Sequence, residues 1–323
     1  MTMLDNCVLV GDIGGTNCRL ALAFRNRHDT IELRDIRLFP VNEYASFFDA
    51  ASEYLDAVTP KPRKAAFAFA GPKFDDAVQL TNADWIVSKS DLKSKFRFSD
   101  VVIANDFAAM ANGARIVSND EFQTLVDGEI DFNEPVAVLG PGTGMGLSLI
   151  VPGQSVSIIP TEGGHRCYAP ETDEERAIDT YWRQTLDYIS VETLLSGPGL
   201  FRLYQALCHI HGKPEICLRQ VDVVAVASAN PHSIAHRTVR VFNSLLGAFA
   251  GDTALTLGAS GGVIIAGGVA RHVAPYIGDS DFTVRFKSRG HGANFIKDIP
   301  VRLMQAPYAA LYGAADMLFS QSH

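Results

Sequence analysis

An apolar run followed by a glycine-rich turn, close to the N-terminus, most constrains how this chain can fold. Residues 7–10 predict a buried strand, residues 11–17 read Gly-Asp-Ile-Gly-Gly-Thr-Asn, and residues 19–24 alternate as a second strand. Glycine lets a backbone approach a ligand closely, and small residues beside an acid suit a phosphate held by backbone N–H groups. We therefore predict a hairpin whose tip holds phosphate, with Asp12 near its magnesium. An ordinary tight hairpin is the alternative.

The same arrangement occurs a second time. Pro135–Leu139 predicts a strand that ends in a second glycine turn, residues 140–146, and Leu147–Val151 returns from it. The apolar spacing of Ser233–Leu257 predicts a long helix, which leads into Gly261–Gly268, a strand closed by glycines. Two strand–turn–strand units, each opening a mixed α/β region, predict a duplicated fold with a cleft between its halves.

Further elements lie between the two turns. The patterns predict a third strand over Ile31–Pro40, a helix over Tyr44–Val58 and a buried strand over Lys64–Ala70. Another strand, Asp100–Ala104, is followed by an alanine-rich helix that continues to about Arg115.

Asn105 and Asp106 come directly after that last strand and before its helix. Ligands of α/β sheets usually bind at the carboxyl ends of the strands. Phosphoryl transfer to a hydroxyl needs one carboxylate to accept the hydroxyl proton, and Asp106 fits this role. The alternative is that Asp106 is only the N-cap of the following helix.

Three more polar residues are candidates for a polyol site. Glu162 and His165 share one glycine-containing turn, and Glu192 precedes another glycine-rich turn. Carboxylates and imidazoles both form hydrogen bonds with hydroxyl groups. Taken singly, each is more often a satisfied loop residue or a surface residue than part of a site.

Two common nucleotide motifs are excluded. The dinucleotide pattern G-x-G-x-x-G fails at residue 145, which is Met, and it lacks the strand–turn–helix context. The Walker pattern is also absent, because the single Gly-Lys pair, Gly212-Lys213, is followed by proline.

Composition limits the classes of partner. The chain has 323 residues, 47% hydrophobic content and a formal net charge of −8, which disfavours nucleic acid or an anionic membrane as the main partner. No basic leader and no run of about 20 apolar residues suggest export or membrane spanning. Five unpatterned cysteines favour reduced thiols, so we expect a cytoplasmic protein.

In order and together, the motifs resemble the bacterial glucokinase family over essentially the whole chain. The segments that carry the resemblance are 11–17, 80–85 (Leu-Thr-Asn-Ala-Asp-Trp), 104–107, 139–146, 162–165, 195–200, 266–269 and 298–301. The resemblance implies a duplicated actin-like, ribonuclease H-like α/β fold with a small and a large domain around a central cleft. The expected small domain is 1–110 with about 305–323, and the expected large domain is 111–304.

The resemblance also implies site residues and ligands. Asp106 would be the general base of an ATP-dependent glucose kinase. The implied sugar-site residues are Asn105, Asp106, Gly144, Glu162, His165 and Glu192. The implied ATP-site residues are Gly11, Asp12, Ile13, Gly14, Gly15, Thr16, Gly140, Thr143, Gly267 and Gly268. Glucose and MgATP are the expected substrates, the expected metal is magnesium bound with ATP rather than in a protein cage, and a homodimer is expected.

Some segments depart from the relatives. Only Cys167 follows His165, without the cysteine pattern of the related repressor and kinase family, so no structural zinc is expected. A second cluster, residues 208–217, has two cysteines and two histidines but fits no standard zinc spacing. Residues 290–292 and 308–313 also differ from the family pattern. The resemblance therefore does not predict the structure of a large-domain loop or of the start of the last helix.

These observations favour transfer of the ATP γ-phosphate to the 6-hydroxyl of glucose. Two alternatives remain. The same fold could serve another hexose, such as fructose, mannose or an N-acetylhexosamine. A non-catalytic sugar-sensing regulator is disfavoured, because the first strand begins by residue 7 and Asp106 is retained.

Overall fold

The computed structural model describes residues 7–71, 73–74, 76–80 and 85–320, so residues 81–84 of the predicted 80–85 motif lie outside it. Its strands are β1 (Cys7–Ile13), β2 (Asn17–Arg25), β3 (Ile31–Pro40), β4 (Lys64–Phe69), β5 (Lys73–Phe74), β6 (Ala77–Gln79), β7 (Ile86–Ser88), β8 (Asp100–Asn105), β9 (Phe122–Val126), β10 (Val136–Pro141), β11 (Met145–Val151), β12 (Ser157–Thr161), β13 (Gly262–Ile265) and β14 (Val301–Met304). Its helices are α1 (Phe47–Ala57), α2 (Lys89–Phe96), α3 (Asp106–Ala114), α4 (Asp173–Trp182), α5 (Val191–Leu194), α6 (Gly197–Ile210), α7 (Gln220–Ala229), α8 (Ile234–Leu257), α9 (Gly268–Val273), α10 (Phe282–Lys287), α11 (Ala293–Ile296) and α12 (Ala309–Phe319).

The chain divides into two compact units. Unit 1 is Met1–Asn119 with Ala306–His323, and unit 2 is Asp120–Gln305. Within its described residues, unit 1 has a main sheet in the order β3-β2-β1-β4-β8, and unit 2 has a sheet in the order β12-β11-β10-β13-β14-β9. That these units are the predicted small and large domains stays a prediction.

The two main sheets repeat one topology, which confirms the predicted duplication. In unit 1, β1 pairs antiparallel with β2 and parallel with β4, and β4 pairs parallel with β8. In unit 2, β10 pairs antiparallel with β11 and parallel with β13, and β13 pairs parallel with β14. Because helices cover both faces of such sheets, β1 and β10 are almost entirely buried, as their apolar sequences predict.

Most element boundaries agree with the pattern of the sequence. The strand Ile31–Pro40 is confirmed at both ends, and the long helix α8 begins directly after its N-cap, Ser233. The helix predicted from Tyr44 is wrong at its start. It begins at Phe47, because the hydroxyl of Ser46 accepts the Asp49 N–H and caps the helix there.

Helix α3, which begins at Asp106, packs closely on α12 through glycines. A Cβ built on Gly313 would lie 1.9 Å from the carbonyl oxygen of Ala109, and one on Gly113 would lie 1.9 Å from that of Ala309. The Asn112 side chain donates to the Gly313 carbonyl at 2.9 Å across the same contact. The start of the last helix, an open question from sequence, therefore supports the helix that carries Asp106.

This contact leads to a stability prediction. We expect Gly313→Ala to lower the free energy of unfolding by about 1–3 kcal/mol, because the methyl group overpacks against backbone that must move away. Urea denaturation measures the change. Gly278→Ala is the matched control, since no described atom lies within 4 Å of a Cβ there. Equal stability of the two variants would contradict the importance of this contact.

Candidate active site

The first glycine turn joins β1 to β2, as predicted. The Gly14 N–H donates to the Asn17 carbonyl at 2.9 Å, and the Thr16 carbonyl accepts the Val41 N–H at 3.0 Å. These bonds close the turn and tie it to the end of β3. The turn therefore has a defined shape in the described structure.

The glycines of this turn have different physical roles. A Cβ on Gly11 would lie 2.7 Å from a Phe67 ring carbon, so the core requires glycine at that position. A Cβ on Gly14 would meet only the Asn17 carbonyl, at 3.8 Å, and Gly14 does not have a positive φ. Packing among the described residues therefore does not require glycine at position 14. Close approach of a ligand to the backbone would explain why this residue is glycine.

Two other residues of the turn need separate comment. The Ile13 side chain is fully buried in the core, so only its backbone could contact ATP. Its carbonyl already accepts the Ala70 N–H at 2.9 Å.

The Asp12 carboxylate is partly buried, and its Oδ2 lies 3.3 Å from Nη1 of Arg19. Burial raises the pKa of the Asp12 carboxyl, and Arg19 offsets this shift only in part.

Asn105 and Asp106 lie at the carboxyl end of β8, as predicted, but the N-cap alternative for Asp106 is wrong. Asn105 is the N-cap of α3, because its backbone is extended and its side-chain oxygen accepts the Ala108 N–H at 3.1 Å. This bond uses Oδ1 of Asn105 and leaves its Nδ2 group to donate.

Asp106 is the first residue of α3, and its Oδ1 accepts the Phe107 N–H at 2.8 Å. A carboxylate in the first turn of a helix is stabilised by the helix dipole. The Phe107 N–H thus holds the Asp106 carboxylate in position at the start of α3.

The second glycine turn, between β10 and β11, is held by backbone contacts. A Cβ on Gly140 would lie 1.9 Å from the Ala266 carbonyl oxygen, so β10 approaches the end of β13 more closely than any side chain allows. The Gly197 N–H donates to the Gly142 carbonyl at 2.8 Å and joins the turn to the start of α6. Thr143 is exposed at the tip.

The glycines after β13 also differ from each other. Gly267 has a φ of +94°, a left-handed conformation that favours glycine, and it precedes α9. A Cβ on Gly268 would have no described atom within 4 Å. The space beside Gly268 is therefore open, whereas a Cβ at Gly14 would make one ordinary contact with the Asn17 carbonyl.

Four predicted sugar-site residues lie together in unit 2. His165 Nε2 is 3.6 Å from Glu162 Oε2, and His165 Nδ1 is 4.0 Å from Glu192 Oε1. Glu192 Oε2 accepts the Met145 N–H at 2.7 Å and would lie 2.4 Å from a Cβ on Gly144. The side chains of Glu162, His165 and Glu192 are 83%, 60% and 32% exposed, so they remain accessible to a polyol.

Sequence reasoning missed two partners in these groups. Arg19 faces Asp12 in the register of β1 and β2, a pairing that the hairpin pattern could have revealed. The Met145 N–H that holds Glu192 has no sequence signal, because the two residues are far apart in the chain and only the fold brings them together. The prediction that Glu192 belongs to a site stays a prediction, but its carboxylate is not simply on the surface.

Neither a cluster of metal ligands nor a membrane-spanning helix occurs among the described residues. Among residues the structure describes, no three His, Cys, Asp or Glu side chains are grouped to hold a metal ion. The described helices include none long and apolar enough to cross a membrane.

Solved structures define the class of protein. A glucokinase from an Antarctic psychrotroph superposes with a TM-score of 0.86 at 33% identity, covering 98% of this chain and 99% of that one. A ROK family glucokinase from Streptomyces griseus, in complex with glucose and AMPPNP, has a TM-score of 0.68 at 18% identity, covering 96% and 98%. The duplicated α/β architecture is thus the actin-like fold of sugar kinases.

Sequence comparisons give the family. The family profile described as Glucokinase matches residues 9–321. The glucokinase of Hahella chejuensis is 37% identical over 97% of both chains. The chain belongs to the glucokinase family.

Proposed function

We propose that this protein transfers the γ-phosphoryl group of ATP to the 6-hydroxyl of D-glucose, forming glucose 6-phosphate and ADP. Family membership supports an enzyme that phosphorylates glucose with ATP as the phosphoryl donor. The observation in the structure that carries the proposal is the group of two carboxylates and one imidazole around His165. This group offers several hydrogen-bond acceptors and a histidine that donates or accepts, as vicinal sugar hydroxyls require.

The chemical step needs one proton acceptor. The 6-hydroxyl oxygen attacks the γ-phosphorus, Asp106 accepts the hydroxyl proton, and the bond from that phosphorus to the β–γ bridging oxygen breaks to release ADP. The Phe107 N–H holds the Asp106 carboxylate at the start of α3. Asn105 orients the sugar through its Nδ2 group, since its Oδ1 caps α3.

The remaining sugar residues orient the ring. Glu192 Oε2 is held by the Met145 N–H, which leaves Oε1 to accept from a hydroxyl. Glu162 and His165 contact neighbouring hydroxyls from the same turn. Fixed orientation of the reacting hydroxyl lowers the barrier, because most of the catalysis in phosphoryl transfer comes from positioning and charge stabilisation.

The two glycine turns and Gly267-Gly268 are proposed to hold ATP. Backbone N–H groups of the Gly11–Thr16 and Gly140–Gly144 turns would contact phosphate, and Gly267-Gly268 would lie by the adenosine. The open space at Gly268, and the absence of any tight contact at Gly14, are consistent with close approach of a nucleotide.

The residues present fit a magnesium ion bound with ATP. Burial disfavours the charged form of Asp12 even with Arg19 beside it, and a nearby cation would favour that form. Magnesium in kinases is usually held by one or two carboxylates and the phosphates rather than by an all-protein cage. When bound, it neutralises charge on the transferring phosphate. Asp12 is the residue that would hold it, directly or through water.

The direct test is a coupled assay of the purified protein with ATP and glucose, in which formation of glucose 6-phosphate is followed. ATP-dependent product formation is expected, and its absence with glucose contradicts the proposal. The predicted homodimer and cytoplasmic location stay predictions that light scattering and fractionation of the native host can test.

The phosphate turn has its own prediction. We expect Gly14→Val to raise the KM for ATP at least about tenfold, because a branched side chain would occupy the space where phosphate approaches the backbone. The folded variant should still bind glucose. Steady-state kinetics with ATP as the varied substrate measures the effect. Gly278→Val is the control, since no described atom lies within 4 Å of a Cβ at that glycine. An unchanged KM for ATP would mean that the turn is only structural.

A further inference from the structure

Glu162, His165 and Glu192 form what we call the sugar cluster. The residues that hold this cluster in place extend beyond the 162–165 motif that resembles the family. His165 ends a single 3-10 turn, Gly163–His165, and Glu192 lies in α5, which has only four residues. Elements this short do not fix a side chain by themselves, since isolated helical turns are unstable. Their positions must come from tertiary contacts.

Arg166 joins the two segments through its backbone. Its carbonyl accepts the N–H of Val191, the first residue of α5, at 2.9 Å. Cys167 and Ser190 form an antiparallel bridge beside this bond. His165 and Glu192 are the residues immediately before and after the bonded pair, so the Arg166 carbonyl sets the spacing between them.

The Arg166 side chain anchors the joined segments to the core. Its Nη2 donates to Asp252 Oδ2 of α8 at 3.0 Å, and its guanidinium carbon lies 4.9 Å from the ring centre of Phe249. Phe249 is buried, and α8 is the 24-residue helix around which unit 2 packs. Arg289 Nε lies 3.4 Å from the other oxygen of Asp252, an ion pair without a hydrogen bond.

From these contacts we infer that Arg166 is a positioning residue for glucose, acting through His165 and Glu192 rather than by contact with the sugar. The inference rests on the proposed function, because it gives Arg166 a role in placing the residues that are proposed to bind glucose. The pair Arg166–Asp252 is 37% exposed on each side, and ion pairs this exposed contribute little to stability. Loss of the pair should therefore leave the fold largely intact, so that an effect on glucose binding can be measured in the folded protein.

The test compares Arg166→Ala with Arg237→Ala. Arg237 is on the same helix as Asp252, its side chain is 50% exposed, and its Nε is 2.6 Å from Glu174 Oε1. Removal of Arg237 thus breaks a comparable ion pair away from the sugar cluster. Steady-state kinetics with each substrate varied, titration calorimetry with glucose and thermal melting are measured on both variants.

We expect Arg166→Ala to raise the KM and Kd for glucose about tenfold, the effect of losing one charge-assisted hydrogen bond. The KM for ATP and the kcat should stay within about twofold, because Asp106 and the phosphate turns are unchanged. Arg166→Lys, which keeps the cation, should restore part of the glucose affinity. Asp252→Asn, which keeps the side-chain shape, should reproduce part of the loss of glucose affinity. It replaces Arg166→Ala as the test if that variant fails to fold.

Three results would overturn the inference. One is a glucose KM close to that of Arg237→Ala. Another is a lower melting temperature with both KM values unchanged, which indicates a purely structural residue. The third is an equal rise in the KM values for glucose and ATP. The wild-type protein is assayed first with a panel of hexoses. Inactivity on glucose contradicts the proposed function separately, and the variants are then compared on the hexose that the wild type prefers.

Discussion

Asp106→Asn is expected to reduce kcat by about 10²–10⁴-fold, the usual loss when a general base is removed. The amide has nearly the same shape as the carboxylate, so it can still accept the Phe107 N–H at the start of α3. It cannot accept the proton of the 6-hydroxyl. Glucose binding should therefore change little while phosphoryl transfer is almost lost.

Turnover and glucose affinity must be measured separately, the first by the coupled assay and the second by titration calorimetry. Asp100→Asn is the matched control, since Asp100 is the first residue of β8 and Asn105, the neighbour of Asp106, is the last. The control should keep wild-type kinetics. Near-wild-type turnover of Asp106→Asn would remove the role that we propose for this residue.

The second large effect concerns the choice of sugar. We predict the highest kcat/KM for glucose, lower values for mannose and 2-deoxyglucose, and very low values for N-acetylglucosamine and N-acetylmannosamine. In the proposed site, Oε1 of Glu192 accepts from a sugar hydroxyl while Oε2 accepts the Met145 N–H. An N-acetyl group at carbon two would replace a hydroxyl donor and crowd at least one carboxylate.

The size of this discrimination follows from the lost hydrogen bond. Once a sugar covers the cluster, an acceptor without a donor costs about 1–3 kcal/mol, or roughly five- to 150-fold in kcat/KM. A coupled assay with ATP and a panel of hexoses measures it. A higher kcat/KM for an N-acetylhexosamine than for glucose would leave the fold and the chemistry intact but contradict glucose as the substrate.

Patterns within a few neighbouring residues were sufficient for much of the fold. The buried strand β1, its glycine turn and the strand β3 could be predicted because alternation, apolar runs and glycine act locally. An error occurred where a capping residue overrode the apolar spacing, as when Ser46 placed the start of α1 at Phe47 rather than at Tyr44.

The candidate site was predicted less completely. Its residues could be identified by resemblance, but the contacts that orient them join distant parts of the chain. Met145 and Glu192, which share a hydrogen bond, are 47 residues apart in the chain. Arg166 and Asp252 are 86 residues apart. No periodicity or spacing in the sequence indicates such pairs, because they depend on how sheets and helices pack.

Glycine illustrates the division between what the sequence determined and what the tertiary structure decided. The sequence by itself determined where the chain turns, since glycines after apolar runs at residues 11–15 and 140–146 interrupt strands wherever the rest of the chain lies. Only the tertiary structure decided why each glycine is there. Gly140 is required because the Ala266 backbone approaches it, whereas a Cβ at Gly14 would make only one ordinary contact, with the Asn17 carbonyl. The physical reason is that backbone conformation is a local property, while close approach between segments depends on packing across the whole unit.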